Sequence, residues 1–275
     1  MLTITAALIR DTFREAFARK IFWGLFGLST LMILFFLFIM KIDIVEGATA
    51  TLTLFGRNHG RTLQVDSLVK GVYGSIATFL YTWGMALSVF ASSGLIPSVL
   101  DPGRIELILS KPVSRAHILL GRFAGNVSVV ALNTAYLVLG VWIIFGLKTH
   151  IWGTQFLWSI ATTIFIFAVL LTVVVLIGVL FESAALATMI TVGLMIISPI
   201  LAQTSMMMRL LSSEASRDAW RVLYQILPKV YDVGRLTLDL VRSQPTQGLE
   251  PIYTSALFGA AVLSGALYIF NRRDF

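Results

Sequence analysis

Six long apolar stretches, each free of charged residues, dominate the hydrophobic pattern of the chain. They are Ile21–Met40, Gly71–Leu100, Phe123–Leu147, Ile151–Phe181, Ser183–Met208 and Pro251–Asn271. Each has at least 20 residues, and at about 1.5 Å of rise per residue such a helix crosses the roughly 30 Å hydrocarbon core of a bilayer. The pattern predicts an all-α integral membrane protein with six transmembrane helices, in which Phe181-Glu182-Ser183 is the turn between the fourth and fifth helices.

Residues 1–20 have the pattern of an amphipathic helix that leads into the first span. Ile9, Phe13 and Phe17 recur at four-residue spacing, whereas the other side carries Arg10, Asp11, Arg14, Glu15 and Arg19. A helix of this kind lies along the membrane interface. The same pattern is typical of a simple anchor and of a surface that contacts a cytoplasmic partner, and both interpretations stay open.

The segment 209–250, between the fifth and sixth spans, shows two short helical rhythms. The first begins near Ser213, has Trp220, Leu223, Tyr224 and Leu227 at i, i+3, i+4 and i+7, and ends at Pro228. The second runs through Val233, Leu236 and Leu240. We expect external helices on the membrane surface that continue the bundle, with Trp220 and Tyr224 at headgroup level. The first external loop, Lys41–Lys70, has strand character around Ala48–Leu54.

Composition narrows the classes of partner and cofactor. The chain is 57% hydrophobic and 13% charged, with a net charge of +7. No dense basic patch accompanies that charge, so we expect basic flanks that contact anionic lipid headgroups and no nucleic-acid partner. With no cysteine and only the scattered His59, His117 and His150, neither a disulfide nor a metal site is expected.

The charges that flank the spans predict an orientation. An even number of spans places both termini on one side of the membrane. Arg19-Lys20 precede the first span and Arg272-Arg273 follow the last, which favours a cytoplasmic location for both termini. We therefore expect a multi-pass protein of the bacterial inner membrane with cytoplasmic termini.

The six stretches contain no Asp, Glu, Lys, Arg or His. An ion-coupled carrier or an intramembrane enzyme needs an ionisable group near its substrate, so the pattern disfavours both classes. The remaining features are interpreted structurally. Asn133 and Gln203 are amides that bond between helices, and Gly121/Gly125 and Ala256/Ala260/Ser264 allow close helix approach. Met206-Met207-Met208 is a flexible apolar filler, and Pro199 forms a kink.

A connector at 97–122 links the second and third spans. Pro102-Gly103 and Lys111-Pro112 each break a helix and push the preceding residue out of the helical region. A short helix is thereby isolated between two turns. Ser114 is then placed to cap the helix that continues into the third span.

This connector resembles the cytoplasmic loop of ABC-2 type transporter permeases. The resemblance rests on Asp101, Gly103, Leu107-Ile108-Leu109, Ser110-Lys111-Pro112-Val113-Ser114-Arg115 and Gly121-Arg122. The chain departs from the family pattern at Pro102 and Arg104, where the family usually has a charged residue and a threonine. The six-span layout is also similar, and within the family the chain looks most similar to permeases associated with copper-enzyme maturation, as in nitrous oxide reductase assembly.

The resemblance implies a single transmembrane domain, 1–275, that pairs with a second copy or a related permease and with a separate cytoplasmic ABC ATPase. The short coupling helix would transmit motion from that ATPase through Asp101, Gly103, Arg104, Glu106, Ser110, Lys111, Pro112, Val113, Ser114 and Arg115. The chain lacks a Gly-x-x-x-x-Gly-Lys-Ser/Thr loop. ATP and Mg²⁺ are therefore expected in the partner, and neither a cofactor nor enzyme activity in this chain.

Two other classes of function stay open at this point. The first is a membrane scaffold or assembly factor that binds proteins through its loops without transport. The second is a channel or secondary carrier, which would show flux without a partner. No pocket chemistry in the sequence identifies a substrate.

Overall fold

The structure, a computed structural model, describes residues 2–18, 20–45, 49–54, 57–94, 114–246 and 248–272. Within these ranges, six helical segments are long and apolar enough to cross a membrane: Phe22–Ile39, Val65–Ser93, Arg115–Thr149, Thr154–Phe181, Ala184–Ala202 and Glu250–Arg272. They are called the first to sixth spans below. The prediction of an all-α membrane-spanning region with six helices is confirmed.

Eleven α-helices make up most of the described ranges. They are α1 (Leu2–Ala18), α2 (Lys20–Leu34), α3 (Val65–Phe79), α4 (Met85–Ser93), α5 (Arg115–Thr149), α6 (Trp158–Phe181), α7 (Ala184–Ala202), α8 (Thr204–Leu210), α9 (Glu214–Ile226), α10 (Val230–Val241) and α11 (Glu250–Arg272). A π-helical turn at Phe35–Ile39 completes the first span, and another at Leu80–Gly84 joins α3 to α4 within the second. The 3₁₀ turn Thr154–Leu157 precedes α6.

A small antiparallel sheet links the first and second spans. Its strands are β1 (Met40–Val45), β2 (Thr49–Leu54) and β3 (Arg57–Gln64), in the order β1-β2-β3. Met40 pairs with Leu54, and Thr49 pairs with Gln64. The strand expected around Ala48–Leu54 is thus present as β2, and the sequence pattern missed its two neighbours.

Several span boundaries differ from the sequence prediction, among them the start of the third span, which lies at Arg115 rather than Phe123; two other differences have a local explanation. The second span begins at Val65 rather than Gly71, because the helix already contains the charged residues Asp66 and Lys70. Their side chains lie one helical turn apart and form an exposed ion pair of 2.8 Å. The fifth span ends at Ala202 rather than Met208, since the helix breaks at Gln203. The three methionines therefore lie on the separate helix α8.

The predicted turn between the fourth and fifth spans is confirmed. Glu182 adopts a left-handed conformation, with φ of 53°, and its N–H donates to the carbonyl of Gly178 at 3.0 Å, which closes α6. The Ser183 hydroxyl then accepts a hydrogen bond of 3.3 Å from the N–H of Leu186 and caps α7. The charge and the polar cap lie at a membrane surface, where water reaches them.

The core of the bundle is built around α6, and α10 packs into it. The sequence placed both helices of the segment 209–250 on the membrane surface. The helix expected between Ser213 and Pro228 is present as α9, with Val222 and Ile226 exposed. By contrast, Val230 and Val233 of α10 are buried in the same hydrophobic cluster as α6, so α10 is a part of the bundle core.

Candidate functional site

The connector predicted to contact an ATPase falls largely outside the described residues. Asp101, Gly103, Arg104, Glu106, Ser110, Lys111, Pro112 and Val113 all lie in 95–113, which the structure does not describe. Their coupling role stays a prediction. Ser114 and Arg115, at the beginning of α5, are described, and they show how the connector enters the bundle.

Ser114 is the N-cap of α5. It has extended backbone angles, and its hydroxyl accepts a hydrogen bond of 3.3 Å from the N–H of His117. This confirms the predicted cap. Arg115, the next residue, lies with its Nη1 3.5 Å from the carbonyl oxygen of Asn271. The start of the third span and the end of the sixth span are therefore adjacent.

A buried arginine, Arg122, binds α1 to the same end of α5. Its side chain is only 2% exposed, and its two terminal nitrogens lie 2.7 Å from Asp11 Oδ2 and 2.5 Å from Glu15 Oε2. The planar guanidinium donates to both carboxylates at once, a geometry that a lysine cannot reproduce. Asp11 is 57% exposed and Glu15 16%, so Glu15 is the more buried partner.

Close backbone approach accompanies this ion pair. A Cβ on Gly125 would lie 2.6 Å from Cβ of Thr12, a side chain that is fully buried. Ala16, one turn further along α1, is buried as well. The sequence pattern Gly121/Gly125 predicted a close helix approach, and the structure identifies α1 as the partner at Gly125. Together, Arg122 and Gly125 fix α1 against the third span.

These contacts bring three elements together at one end of the bundle: α1, the start of the third span and the end of the sixth span. The second span ends at Ser93 on the other side of the 95–113 segment. The 95–113 segment joins α5 at Ser114, and α5 contacts α1 through Arg122 and α11 through Arg115.

A sequence profile of the family described as ABC-2 family transporter protein matches residues 6–275. The chain belongs to the ABC-2 transporter family. It is thus a multi-pass membrane protein and a permease component of an ABC transporter, and the family in general works with an ATPase subunit and a permease oligomer. Comparison with curated proteins gives no match. The match covers the buried ion pair, the connector 97–122 and all six spans.

The sequence analysis missed the role of Arg122 in this ABC-2 permease. Gly121-Arg122 was recognised only as the end of the family pattern. The available signal was the pair Asp11 and Glu15, which are spaced by four residues on α1 and so lie on one side of that helix. Two acids on one side of a helix form a place for a cation, yet nothing in the sequence singles out Arg122 among the basic residues.

The close contact between α1 and α5 leads to a first prediction. Gly125→Ala is expected to lower the free energy of unfolding by about 1–3 kcal/mol, because its Cβ overlaps Thr12. Gly27→Ala, on α2, is the matched control: nothing lies within 4 Å of the added Cβ, and alanine is the better helix former by about 0.5–1 kcal/mol. Thermal unfolding in detergent compares the two. Equal behaviour of both variants would contradict the close approach of α1 and α5.

The contacts predicted for the amides and for the small residues of the sixth span are present in one case and absent in the others. The Ser29 hydroxyl donates to Asn133 Oδ1 at 3.4 Å, so Asn133 bonds between the first and third spans as predicted. Gln203 is exposed at the end of α7 instead of buried between helices, and that interpretation is wrong. Ala256, Ala260 and Ser264 are exposed as well, because the sixth span packs through its other face, where Gly259 contacts Val169.

A second cluster of ionisable groups lies at the opposite end of the permease, where α9, α10 and α11 meet. Lys229 is 5% exposed and donates to Glu250 at 2.8 Å, and the Tyr224 hydroxyl donates to Asp232 at 2.9 Å. Burial raises the pKa of Asp232, while the bond from Tyr224 and the charge of Lys229 oppose that shift. Burial and the Asp232 carboxylate both raise the pKa of Tyr224.

The groups of this second cluster line a cleft of about 200 Å³ with both signs of charge. Within the described residues, no group of three or more His, Cys, Asp or Glu side chains is arranged to bind a metal ion. Glu250 pairs with Lys229 at the start of α10 and so joins α10 to α11, whereas Asp232 accepts from Tyr224 and joins α10 to α9. The cluster therefore gives no reason to assign chemistry to the outer end.

Proposed function

We propose that this permease is driven by a separate cytoplasmic ABC ATPase that binds the connector 97–122, and that it exports or translocates a substrate still to be identified. The observation that carries the proposal is the buried ion pair of Arg122 with Asp11 and Glu15. It makes α1 and the third span one rigid unit at the connector end of the bundle. A motor that pushes the connector would then move both elements together.

The described helices supply a mechanical path for that motion. α5 is a continuous helix of 35 residues, about 52 Å long at 1.5 Å per residue, so it extends through the whole bilayer. On the other side of the connector, the second span contains the π-helical turn Leu80–Gly84. Such turns are common at functional sites. We propose that α5 is the rigid helix on one side of the connector and that the second span is the flexible helix on the other side.

The assembly follows from the same proposal. Two permease chains, identical or related, would stand above two ATPase subunits, with α1 and both termini on the cytoplasmic side of the bacterial inner membrane. ATP and Mg²⁺ would be bound by the ATPase, and the permease would have no enzymatic activity. The likeness of the chain to permeases of copper-enzyme maturation makes that class of pathway the first to examine.

The proposal predicts loss of coupling when the connector is altered. The complete permease is reconstituted in nanodiscs with its ATPase, and ATP turnover is measured. We expect Glu106→Ala and Arg115→Ala to lower the permease-stimulated turnover by about tenfold, within the usual range of coupling between sites. Arg209→Ala is the control, since Arg209 is exposed on α8 at the opposite end of the bundle and should leave turnover unchanged.

Three outcomes would contradict this mechanism. Stable protein partners without any dependence on an ATPase would indicate a scaffold. Flux in liposomes that contain only this chain would indicate a channel or carrier. The absence of native cysteine permits a third test with Ser110→Cys as the single thiol. If a membrane-impermeant maleimide labels it from outside intact cells, a cytoplasmic ATPase cannot reach the connector.

A further inference from the structure

An open aromatic groove lies between α1, the first span and the third span. Six aromatic side chains line it: Phe13, Phe17, Phe22, Trp23, Phe26 and Tyr136. Its volume is about 360 Å³, within the roughly 300–1,000 Å³ typical of small-molecule sites. Trp23 is 56% exposed and Leu132, at the edge of the groove, is 60% exposed. The groove therefore opens toward the surroundings of the bundle, which in the spans is lipid.

The groove is already formed in the single chain. The indole N–H of Trp23 donates to the carbonyl of Phe17 at 2.9 Å, which joins α1 to α2. The Phe26 ring stacks on Tyr136 of the third span, with centroids 4.8 Å apart. These contacts connect the three walls, so a ligand that enters does not have to order them. A preformed apolar site binds its ligand at a lower entropic cost.

Three basic residues lie next to the aromatic residues of the groove along the chain. Arg10 and Arg14 are exposed and lie three residues before Phe13 and Phe17 respectively, so on α1 they flank these rings, whereas the sequence pattern placed them on the opposite side. Lys20, at the start of α2, is exposed too. None of the three forms an ion pair with another residue that the structure describes. Asp11 and Glu15 of α1 contact Arg122 instead.

We propose that the groove binds one anionic phospholipid of the surrounding leaflet. An acyl chain would lie against the aromatic rings, and the headgroup phosphate would contact Arg10, Arg14 and Lys20. The occupant follows from two adjoining properties: an apolar groove open to the bilayer and three cations at its interfacial end. A phospholipid combines a long apolar chain with an adjoining anion and so matches both. This site goes beyond the transport function and does not depend on it.

The test uses Trp23 as the reporter. The full-length chain is reconstituted in phosphatidylcholine nanodiscs that contain dibrominated phosphatidylglycerol or dibrominated phosphatidylcholine at equal mole fraction, and bromine quenching of tryptophan fluorescence is measured. The Trp23 signal is the difference between the wild type and Trp23→Phe. We expect phosphatidylglycerol to be preferred at Trp23 by about fivefold or more, given the usual attraction of each basic residue to an anionic surface.

Two variants make this result specific. Replacement of Arg10, Arg14 and Lys20 together by glutamine should bring the preference close to one, and all three side chains are exposed. Trp158 is 59% exposed on the fourth span, away from these cations, and its signal, obtained with Trp158→Phe, should show no preference.

Either of two results would overturn the proposal. Equal quenching of Trp23 by both brominated lipids would mean ordinary boundary lipid without a headgroup site. No quenching of Trp23 by either lipid would mean that a protein chain covers the groove. Neither result bears on coupling to an ATPase, so failure of the lipid site and failure of the transport proposal are distinguishable.

Discussion

Arg122→Ala is expected to lower the free energy of unfolding by about 3 kcal/mol, the lower end of the range for breaking a buried ion pair. The alanine removes the guanidinium that lies against Glu15, a carboxylate that is only 16% exposed. Asp11 is more exposed and regains water, so it adds little to the cost. Release of α1 from the third span gives the Glu15 carboxylate access to solvent, and we expect that release.

The release of α1 is measurable by thiol labelling, because the chain has no native cysteine. Ala16 is 4% exposed in the contact with α5, whereas Ala18 is exposed. A single thiol introduced as Ala16→Cys should react slowly with maleimide in an otherwise unchanged chain and rapidly when Arg122→Ala is added. The thiol of Ala18→Cys should react rapidly in both backgrounds, which controls for general unfolding.

A graded series distinguishes the ion pair from simple loss of packing. Glu15→Gln should cost more than Asp11→Asn, because Glu15 is the more buried carboxylate. Arg122→Lys should be intermediate, since a lysine retains the charge but not the two-armed geometry. Arg221→Ala removes an exposed pair with Asp218 of 3.1 Å, and should change stability by less than about 0.5 kcal/mol. Equal effects of Glu15→Gln and Asp11→Asn would contradict the assigned burial.

Features that depend on neighbouring residues were predictable from the sequence. The six spans follow from the length of the apolar stretches, since the bilayer imposes that length on any helix. The turn at Glu182 and the cap at Ser114 follow from local backbone chemistry: a charge that interrupts an apolar run in one case, and a serine hydroxyl before a helix in the other. In both cases the deciding atoms lie within a few residues of one another.

Features that depend on distant residues were not predictable. Arg122 lies 107 and 111 positions from its two acids, and no local pattern specifies such a pairing. The burial of α10 is similar: an amphipathic helix has the same pattern whether its apolar face lies on lipid or among other helices. Gly234 of α10 is an example of a contact between distant residues. A Cβ added to Gly234 would lie 2.6 Å from the ring of Tyr81, and this closeness follows from the packing of α10 in the bundle, not from its own sequence pattern.

The third span contacts the N-terminal part of the permease at both of its ends and holds it in place. Arg122 binds α1 near one end of α5. Near the other end, Lys148 donates from Nζ to the carbonyls of Phe36, Leu37 and Met40 at 2.7, 2.8 and 2.7 Å. One cation at each end thus attaches α1 and the first span to α5, and the two contacts should fail independently because α5 separates them.

Lys148→Met tests the outer contact and is expected to lower stability by about 2 kcal/mol. Two of the carbonyls it frees, those of Phe36 and Leu37, belong to the last turn of the first span, where a helix has no partners of its own, and the third is that of Met40 at the start of β1. Their cost is limited because water reaches part of this site. Methionine keeps the length of the side chain, so the loss is that of the three bonds and not of packing.

The effect of Lys148→Met should be local. Amide hydrogen exchange across residues 36–40 is expected to accelerate by about thirtyfold, the ratio that corresponds to 2 kcal/mol, while exchange in α1 stays unchanged. Lys70→Met is the control, because the Lys70–Asp66 pair is exposed and contributes at most about 1 kcal/mol. If exchange in α1 accelerated together with 36–40, the two ends of the third span would be coupled, and independent attachment of α1 and the first span would be refuted.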